Sequence, residues 1–137
     1  MVKRLNDCYK TENLNKNIVY NYDYGNQIMY KVHYGLISAA DIKSSWQWAF
    51  DNNIIPNNTK RYLLDYRVAD FINPIRISSE IVIFYHDNLT YFRDCKFAIV
   101  SKKSKNIATS MTVKKSDYLY QSEPFSFIDQ AIEWLIT

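Results

Sequence analysis

The stretch RYLLDYRVADFINPIRISSE, residues 61–80, changes its pattern partway along. Its first part, RYLLDYR, is a nearly continuous apolar run, which is typical of a strand buried on both faces of a parallel sheet. Its last part, ISSE, looks like the start of a helix with Ser78 as N-cap, because a serine hydroxyl can accept from the free N–H groups of the first turn. The stretch therefore predicts a strand that ends at Asp65, a loop over residues 66–77 at one end of the sheet, and a helix.

Two alternating runs upstream predict a β-hairpin. In residues 18–24 and 28–34 apolar and aromatic side chains fall on every second position, which is the strand period. Gly25-Asn26 supplies the turn between them. A helical pattern follows, with Ser38 as its expected cap and Asp41 at the third position, where an acid completes a capping box.

Downstream, helical and strand patterns continue to alternate. A second helix is expected from Ser78 to about Arg93, followed by a strand KFAIVS. A weaker helix is suggested by Ile107, Ala108, Met111, Lys115 and Tyr118, and an edge strand EPF and a last helix capped by Ser126 follow it. The order ββαβαβαβα predicts an α/β fold with a mostly parallel central sheet, one antiparallel hairpin strand and flanking helices. The side chains expected to be nearly fully buried are Leu63, Leu64, Ala98, Ile99 and Trp134.

The composition indicates one packed domain. The chain has 137 residues, is 47% hydrophobic and contains only 2 Gly and 3 Pro, which suits a self-sufficient core. We assign residues 17–137 to this single domain and residues 1–16 to a polar N-terminal arm. A net charge of +3 is too small to indicate nucleic acid as the partner.

Cysteine and histidine usage predicts neither a metal nor any other cofactor. Cys8 and Cys95 match no metal or redox spacing, and His33 and His86 have no ligand partner at metal spacing. We expect no disulfide. No apolar signal segment and no apolar run of about 20 residues occurs, so the sequence predicts a cytoplasmic protein without stable membrane insertion.

The segments LLDYR, KFAIV and PFSFIDQAIEWL, in this order of elements, resemble a STAS domain. More narrowly, residues 18–137 resemble small bacterial proteins similar to the anti-sigma-factor antagonist and to Sec14-like lipid-binding domains. In the antagonist family a strand ends in Asp, and the next helix begins with Asp-Ser-Ser-Gly, whose first serine a partner kinase phosphorylates. The resemblance matches Asp65 to the strand-end Asp and Ser78-Ser79 to the serine pair; Ile77 and Glu80 replace the flanking Asp and Gly, and the loop is longer.

Two interpretations of this site remain open. Ser78 and Ser79 could carry a phosphate at a helix N-terminus beside Arg76, although capping alone explains a serine there and Glu80 would repel the phosphate. Asp65 could line a ligand crevice, but an ion pair with Arg67 is the simpler interpretation. Asp70 lies in the same expected loop and has no assigned role.

The sequence is more typical of a binding protein than of an enzyme. It contains no phosphate-binding glycine loop and no nucleophile motif. The lysines between 102 and 115 suit solvated helix ends. We expect a non-catalytic regulatory module that acts by protein–protein contact, with the apolar loop around Phe71 as its contact surface. The alternative is a small carrier of an apolar ligand or lipid, of the Sec14-like kind, and a degenerate enzyme comes third.

Overall fold

The computed structural model describes the backbone of residues 6–10 and all of residues 17–137. Six strands form one sheet in the order β1-β2-β3-β4-β5-β6. β1 and β2 run antiparallel, as do β2 and β3, and the remaining neighbours are parallel. The strands are β1 (Asn6–Lys10), β2 (Ile18–Asp23), β3 (Ile28–Ile37), β4 (Arg61–Phe71), β5 (Lys96–Val100) and β6 (Gln121–Phe125).

Within residues 17–137, five helices connect or follow the parallel strands. They are α1 (Ala39–Asp51), α2 (Pro74–Asp87), α3 (Leu89–Phe92), α4 (Ser104–Lys114) and α5 (Ile128–Ile136). The predicted α/β order is confirmed, with two additions. β1 extends the sheet from within the segment assigned to the polar arm, and the expected second helix is divided at Asn88 into α2 and α3.

Local capping signals had mixed success. Around α1 the Ser38–Asp41 capping box is present as predicted. The prediction for α2 was wrong, because the helix begins at Pro74 and its cap is Asn73, whose side chain accepts from the backbone N–H of Arg76. Proline is well suited to the first helical turn, where its missing N–H costs no hydrogen bond. Ser126 is not a cap either, since the N-cap position of α5 is Phe127.

β3 and β4 are the long strands of the sheet, and their carboxyl ends extend past β5. β5 pairs with β4 only as far as Asp65. Beyond that point β4 continues beside β3, after a bulge, to the pair Ile37–Phe71. The expected long loop over residues 66–77 was therefore wrong: most of it is strand or helix, and Asp65 lies inside β4.

Helices cover the two faces of the sheet unequally. On one face, called here the α1–α4 face, α1 to α4 bury the larger core, with Trp46 at its centre. On the other, the α5 face, α5 packs mainly on β4, β5 and β6. The smaller core of the α5 face consists of Ile28, Leu63, Ala98, Val100, Ala131 and Leu135.

Most of the predicted core is confirmed. Leu63, Leu64, Ala98 and Ile99 are all buried. Trp134 is not nearly fully buried as expected; it is partly buried. Its ring lies 5.7 Å from that of Phe125, centroid to centroid, and 5.0 Å from the Nζ of Lys96.

The inward side of α4 is largely polar. Met111 is exposed, and the helix instead buries Asn106, Thr109, Ser110 and Val113. Asn106 donates from Nδ2 to the carbonyl of Ala69 at 3.1 Å, which satisfies part of this polar surface. The inward side of such a helix cannot be predicted from the spacing of hydrophobic residues, because most of the residues that it buries are polar.

Candidate functional site at the carboxyl edge of the sheet

Asp65 is held in a bidentate ion pair. It is only 5% exposed. Its Oδ1 accepts from the Arg67 Nε at 3.0 Å and its Oδ2 from Nη2 at 2.9 Å. The hydrogen bond with Asp65 in turn raises the pKa of Arg67. The ion-pair interpretation is confirmed, and both carboxylate oxygens are engaged in it.

The two serines of the expected phosphorylation site lie inside α2. Ser78 Oγ donates to the Ile75 carbonyl at 2.9 Å, and Ser79 Oγ donates to the Arg76 carbonyl at 3.1 Å. Ser78 is buried, whereas Ser79 is exposed. These backward hydrogen bonds to the preceding turn replace the capping role expected for Ser78.

Phe71 is also turned inward. Its ring packs edge-on against Tyr66 with 4.8 Å between centroids, and it is nearly fully buried in the core of the α1–α4 face. Of the residues proposed for a contact surface, Phe71 and Ser78 are therefore covered, while Arg67, Arg76 and Ser79 remain accessible.

Several large apolar side chains are exposed where β3 and β4 end. Leu36 is 64% exposed, Val68 56% and Ile75 82%. Tyr34 and Ile72 are exposed nearby: Tyr34 is the β3 partner of Val68, and the N–H of Ile72 donates to the carbonyl of Ile37 at 2.8 Å. We call this surface the carboxyl edge, and its exposed apolar residues are Tyr34, Leu36, Val68, Ile72 and Ile75.

The carboxyl edge is partly what the sequence predicted. Val68, Ile72 and Ile75 belong to the stretch singled out as unusually apolar. Tyr34 and Leu36 were missed, because they come from the strand that precedes α1 and join the others only through the pairing of β3 with β4. The signal available in the sequence was Gly35, which adopts φ +71°, a conformation that favours glycine where a strand changes direction.

Charged side chains surround the same edge. Asp70, the β3–β4 partner of Leu36, lies with its Oδ1 2.8 Å from the Nζ of Lys103. This hydrogen bond with Lys103 lowers the pKa of Asp70. On α2, Glu80 forms ion pairs with Arg76 and with Lys43, the latter at 2.6 Å.

Sequence reasoning missed two buried basic side chains in β3. Lys31 and His33 are fully buried on the α1–α4 face. The Lys31 Nζ lies 4.0 Å from the ring centroid of Trp46 and 3.5 Å from the carbonyl of Ile42. The ring of His33 packs on Tyr66 with 4.2 Å between centroids. Burial lowers the pKa of both basic groups well below their ordinary values.

The space beneath the helices is almost filled. Between α1, α2, α4 and the sheet a cavity of about 20 Å³ is lined by apolar side chains such as Ile42, Ile81 and Val113. That is roughly the room needed for one water molecule. A wider cleft of about 320 Å³ opens at the opposite, amino end of the sheet, where its lining includes Asn53, Asn57, Asn58, Thr59 and Lys60.

Two further findings concern metal ligands and membrane spans. Within residues 17–137, and the strand at 6–10, no three His, Cys, Asp or Glu side chains come together as a metal-binding group. In the same described ranges no helix has both the length and the apolar character needed to cross a bilayer. The thiol of Cys95 is buried and free, and burial raises its pKa to about 11. The expectation that Cys8 forms no disulfide concerns a side chain outside the described residues.

Comparison with known proteins bears on the fold. No family model matches the chain, and no curated protein matches it. The chain is similar in structure to an uncharacterised protein from the DUF3478 family, with a SpoIIAA-like fold, from Shewanella loihica PV-4. The TM-score is 0.56 at 12% sequence identity, and the match covers 98% of each chain. From these observations the chain has a STAS-like, SpoIIAA-like fold.

Proposed function

We propose that this protein is a non-catalytic regulatory module that acts by protein–protein contact through the carboxyl edge. The observation that carries the proposal is the exposure of Leu36, Val68 and Ile75 on neighbouring elements at one end of the sheet. Scattered exposed apolar residues need no explanation, but several at one end of a sheet are typical of an interaction site.

The geometry of the edge suits a preformed contact surface. Tyr34 and Val68 are paired across β3 and β4, so their backbones are fixed by the sheet. Ile72 and Ile75 follow at the start of α2, which Asn73 and Pro74 anchor. A rigid surface loses little conformational entropy on binding, which favours affinity.

The carrier alternative is supported less well. A ligand pocket usually has a volume of about 300–1,000 Å³ and an apolar lining. The cavity beneath α1, α2 and α4 has about 20 Å³. The clefts of about 320 and 390 Å³ at the amino end are open to solvent, and polar side chains such as Asn57, Lys60 and Asp94 make up about half of their linings, which is a poor match for a lipid chain.

Catalysis also lacks support at Asp65, Ser78 and Ser79. The carboxylate of Asp65 is taken up by Arg67, and the hydroxyls of Ser78 and Ser79 donate to carbonyls of their own helix. A nucleophile needs a base within hydrogen-bond reach. None of these three side chains has a histidine among the hydrogen-bond partners that the described part of the chain provides.

A matched pair of variants tests the proposal. Ile75 and Ile83 are both exposed isoleucines of α2, at 82% and 60%, but only Ile75 belongs to the carboxyl edge. The protein is purified from its own host after crosslinking, and mass spectrometry identifies crosslinked proteins, crosslinked positions and bound lipid. We expect one specific partner crosslinked near residues 34–37 and 67–76, retained by Ile83→Ser and reduced at least tenfold by Ile75→Ser.

Two outcomes would contradict the proposal. Equal recovery of the partner with both variants would remove the carboxyl edge from the interaction. Stoichiometric lipid in the native mass spectrum, without any specific protein partner, would favour the carrier instead.

A further inference from the structure

Cations outnumber carboxylates around the carboxyl edge. Oδ1 of Asp70 lies 2.8 Å from the Nζ of Lys103 and 3.6 Å from that of Lys105. Glu80 is likewise shared between Lys43 and Arg76. Each of these carboxylates faces two cations, so each group keeps one positive charge in excess.

Lys102 adds a third positive charge. Its Nζ lies 5.8 Å from the centroid of the exposed Phe127 ring, a contact that attracts the cation without neutralising it. Arg67 adds none, because Asp65 balances it. The positive charge in excess is therefore concentrated at Lys102, Lys103 and Lys105, which together have one ion-paired carboxylate, Asp70; Asp41 and Asp129 lie in the first turns of α1 and α5 at the same end of the sheet.

The excess charge and the exposed aliphatic side chains lie on the same elements. Asp70, which gathers Lys103 and Lys105, is the strand partner of Leu36 and lies two residues from Val68. Arg76 directly follows Ile75 in the first turn of α2. A ligand that covers the aliphatic residues would meet these cations at its margin, where charges guide association and select partners.

Resting on the proposed function, we infer that the carboxyl edge binds an acidic segment of a partner protein, in which aliphatic side chains alternate with aspartate or glutamate. The aliphatic positions would cover Leu36, Val68 and Ile75, and the carboxylates would meet the cations that lack a full counter-charge.

A protein segment fits this edge better than an anionic bilayer does. Basic patches that bind membranes usually hold about four to eight Lys or Arg in a run, whereas three of the cations here are balanced by carboxylates of the same surface. Tryptophan and tyrosine mark membrane interfaces, and at this edge only Tyr34 is of that kind. Leu36 and Val68 on paired strands, with Ile75 in the first turn of α2, instead offer a fixed surface for packing.

The test uses two synthetic peptides with the same length and leucine spacing. One carries glutamate at every polar position and the other carries lysine. Each is titrated at low salt into the ¹⁵N-labelled full chain. We expect the glutamate peptide to shift the amide signals of residues 34–37, 67–76 and 102–105, to bind at least tenfold more tightly than the lysine peptide, and to weaken as salt is added.

Lys102 and Lys115 provide a matched pair for the charge. Both are exposed lysines, but Lys115 follows the far end of α4, so Lys102→Glu and Lys115→Glu change the net charge equally at different places. Lys102→Glu should weaken the glutamate peptide about fivefold or more, and Lys115→Glu should leave it within twofold. Because both side chains are exposed, both variants should fold, which circular dichroism checks.

Three results would overturn the inference. Equal binding of both peptides at the edge would mean that apolar contact alone acts there, which leaves the proposed function standing. Failure of the glutamate peptide to bind at the edge would reject the acidic partner, while the host crosslinking experiment still judges the proposed function. Binding to phosphatidylglycerol vesicles that Ile75→Ser abolishes would assign the edge to a bilayer.

Discussion

The two faces of the sheet differ in how completely helices cover them. On the α1–α4 face, Trp46 lies 5.0 Å from the ring of Phe92 and 5.4 Å from that of Tyr62, centroid to centroid, within a continuous aromatic core. On the α5 face one helix of nine residues covers mainly β4 to β6, and Trp134 at its margin is only partly buried.

We therefore expect the α1–α4 face to contribute more to the free energy of unfolding than the α5 face, which leaves more of the sheet accessible for contact. The α1–α4 face is covered so completely that even the basic side chains of Lys31 and His33 are fully buried there. The α5 face is thin, and alternation along β3 from the buried Ile28 places Tyr34 on it, beyond the reach of α5. The carboxyl edge begins where coverage of the sheet ends.

The largest expected effect on stability is at the centre of the α1–α4 face. Trp46→Ala removes a fully buried indole and should lower the free energy of unfolding by about 3–5 kcal/mol. Trp134→Ala, at the thin face, should cost clearly less, because part of its ring is already in contact with solvent. Urea denaturation of both variants measures the difference, and a greater loss for Trp134→Ala would reverse the comparison.

The next effect is a gain in stability at the same face. Lys31 is fully buried, and its hydrogen bond to the carbonyl of Ile42 is 3.5 Å long, which is poor geometry. Burying a polar group without good partners costs about 1–3 kcal/mol. Lys31→Met keeps a similar shape, so it should raise the free energy of unfolding by about that amount, as urea denaturation at pH 7 would measure.

A loss of stability in Lys31→Met would contradict this view. It would mean that the contact of the ammonium with the Trp46 ring contributes more than its burial costs. The matched control is Lys115→Met on the surface, which should change stability by less than about 0.5 kcal/mol.

The same two basic groups predict how stability varies with pH. Lys31 has a lowered pKa in the folded chain, so below its ordinary value of 10.5 the unfolded chain binds more protons than the folded one. Stability should therefore rise as the pH increases towards 10.5, by at most about 1.4 kcal/mol per unit for one proton. His33 adds a loss of stability as pH falls below 6.5, because only the unfolded chain then gains its proton.

Groups with raised pKa values limit the upper end of this window. The Cys95 thiol, with a pKa of about 11, and the buried phenols of Tyr20 and Tyr66 resist ionisation in the folded chain. They ionise earlier when unfolded, so near pH 9 and above they oppose the gain. Chemical denaturation across the range measures the slope, and an unchanged rise above pH 7 in Lys31→Met would show that Lys31 is not its source.

The sequence predicted best what depends on neighbours along the chain. The Ser38–Asp41 box, the Gly25-Asn26 turn and the buried LL and AI pairs are local patterns, and the structure contains all of them. Lys31 and His33 could not be predicted this way. In the sequence they alternate with Tyr30 and Val32, and this strand pattern predicts that they face solvent. In the structure, helices pack on that side of β3 as well and bury it.

The candidate site depended on both kinds of information. Ile72 and Ile75 were recognisable as too apolar for a solvated loop. The boundary of α2 was misplaced because Ser78 was taken as the cap, although Asn73-Pro74 carries its own helix-start signal. Leu36 became part of the site only when β3 paired with β4, which no local pattern reports.

The smallest expected effect on stability is at the start of α2, where the α1–α4 face meets the carboxyl edge. Asn73 caps α2 and adopts φ +54°, a left-handed conformation that asparagine tolerates better than most residues. Asn73→Ala should lower the free energy of unfolding by about 1 kcal/mol. Ser78→Ala removes only a hydroxyl bonded back to the Ile75 carbonyl, so it should change stability by less than about 0.5 kcal/mol. Thermal and urea unfolding of the two variants gives the ranking, and a larger loss for Ser78→Ala would restore Ser78 as the residue that fixes the start of the helix.

Binding of the partner provides a second measurement on the same two variants. Since Asn73 holds Ile72 and Ile75 in place, Asn73→Ala should weaken contact at the edge, whereas Ser78→Ala should leave it unchanged.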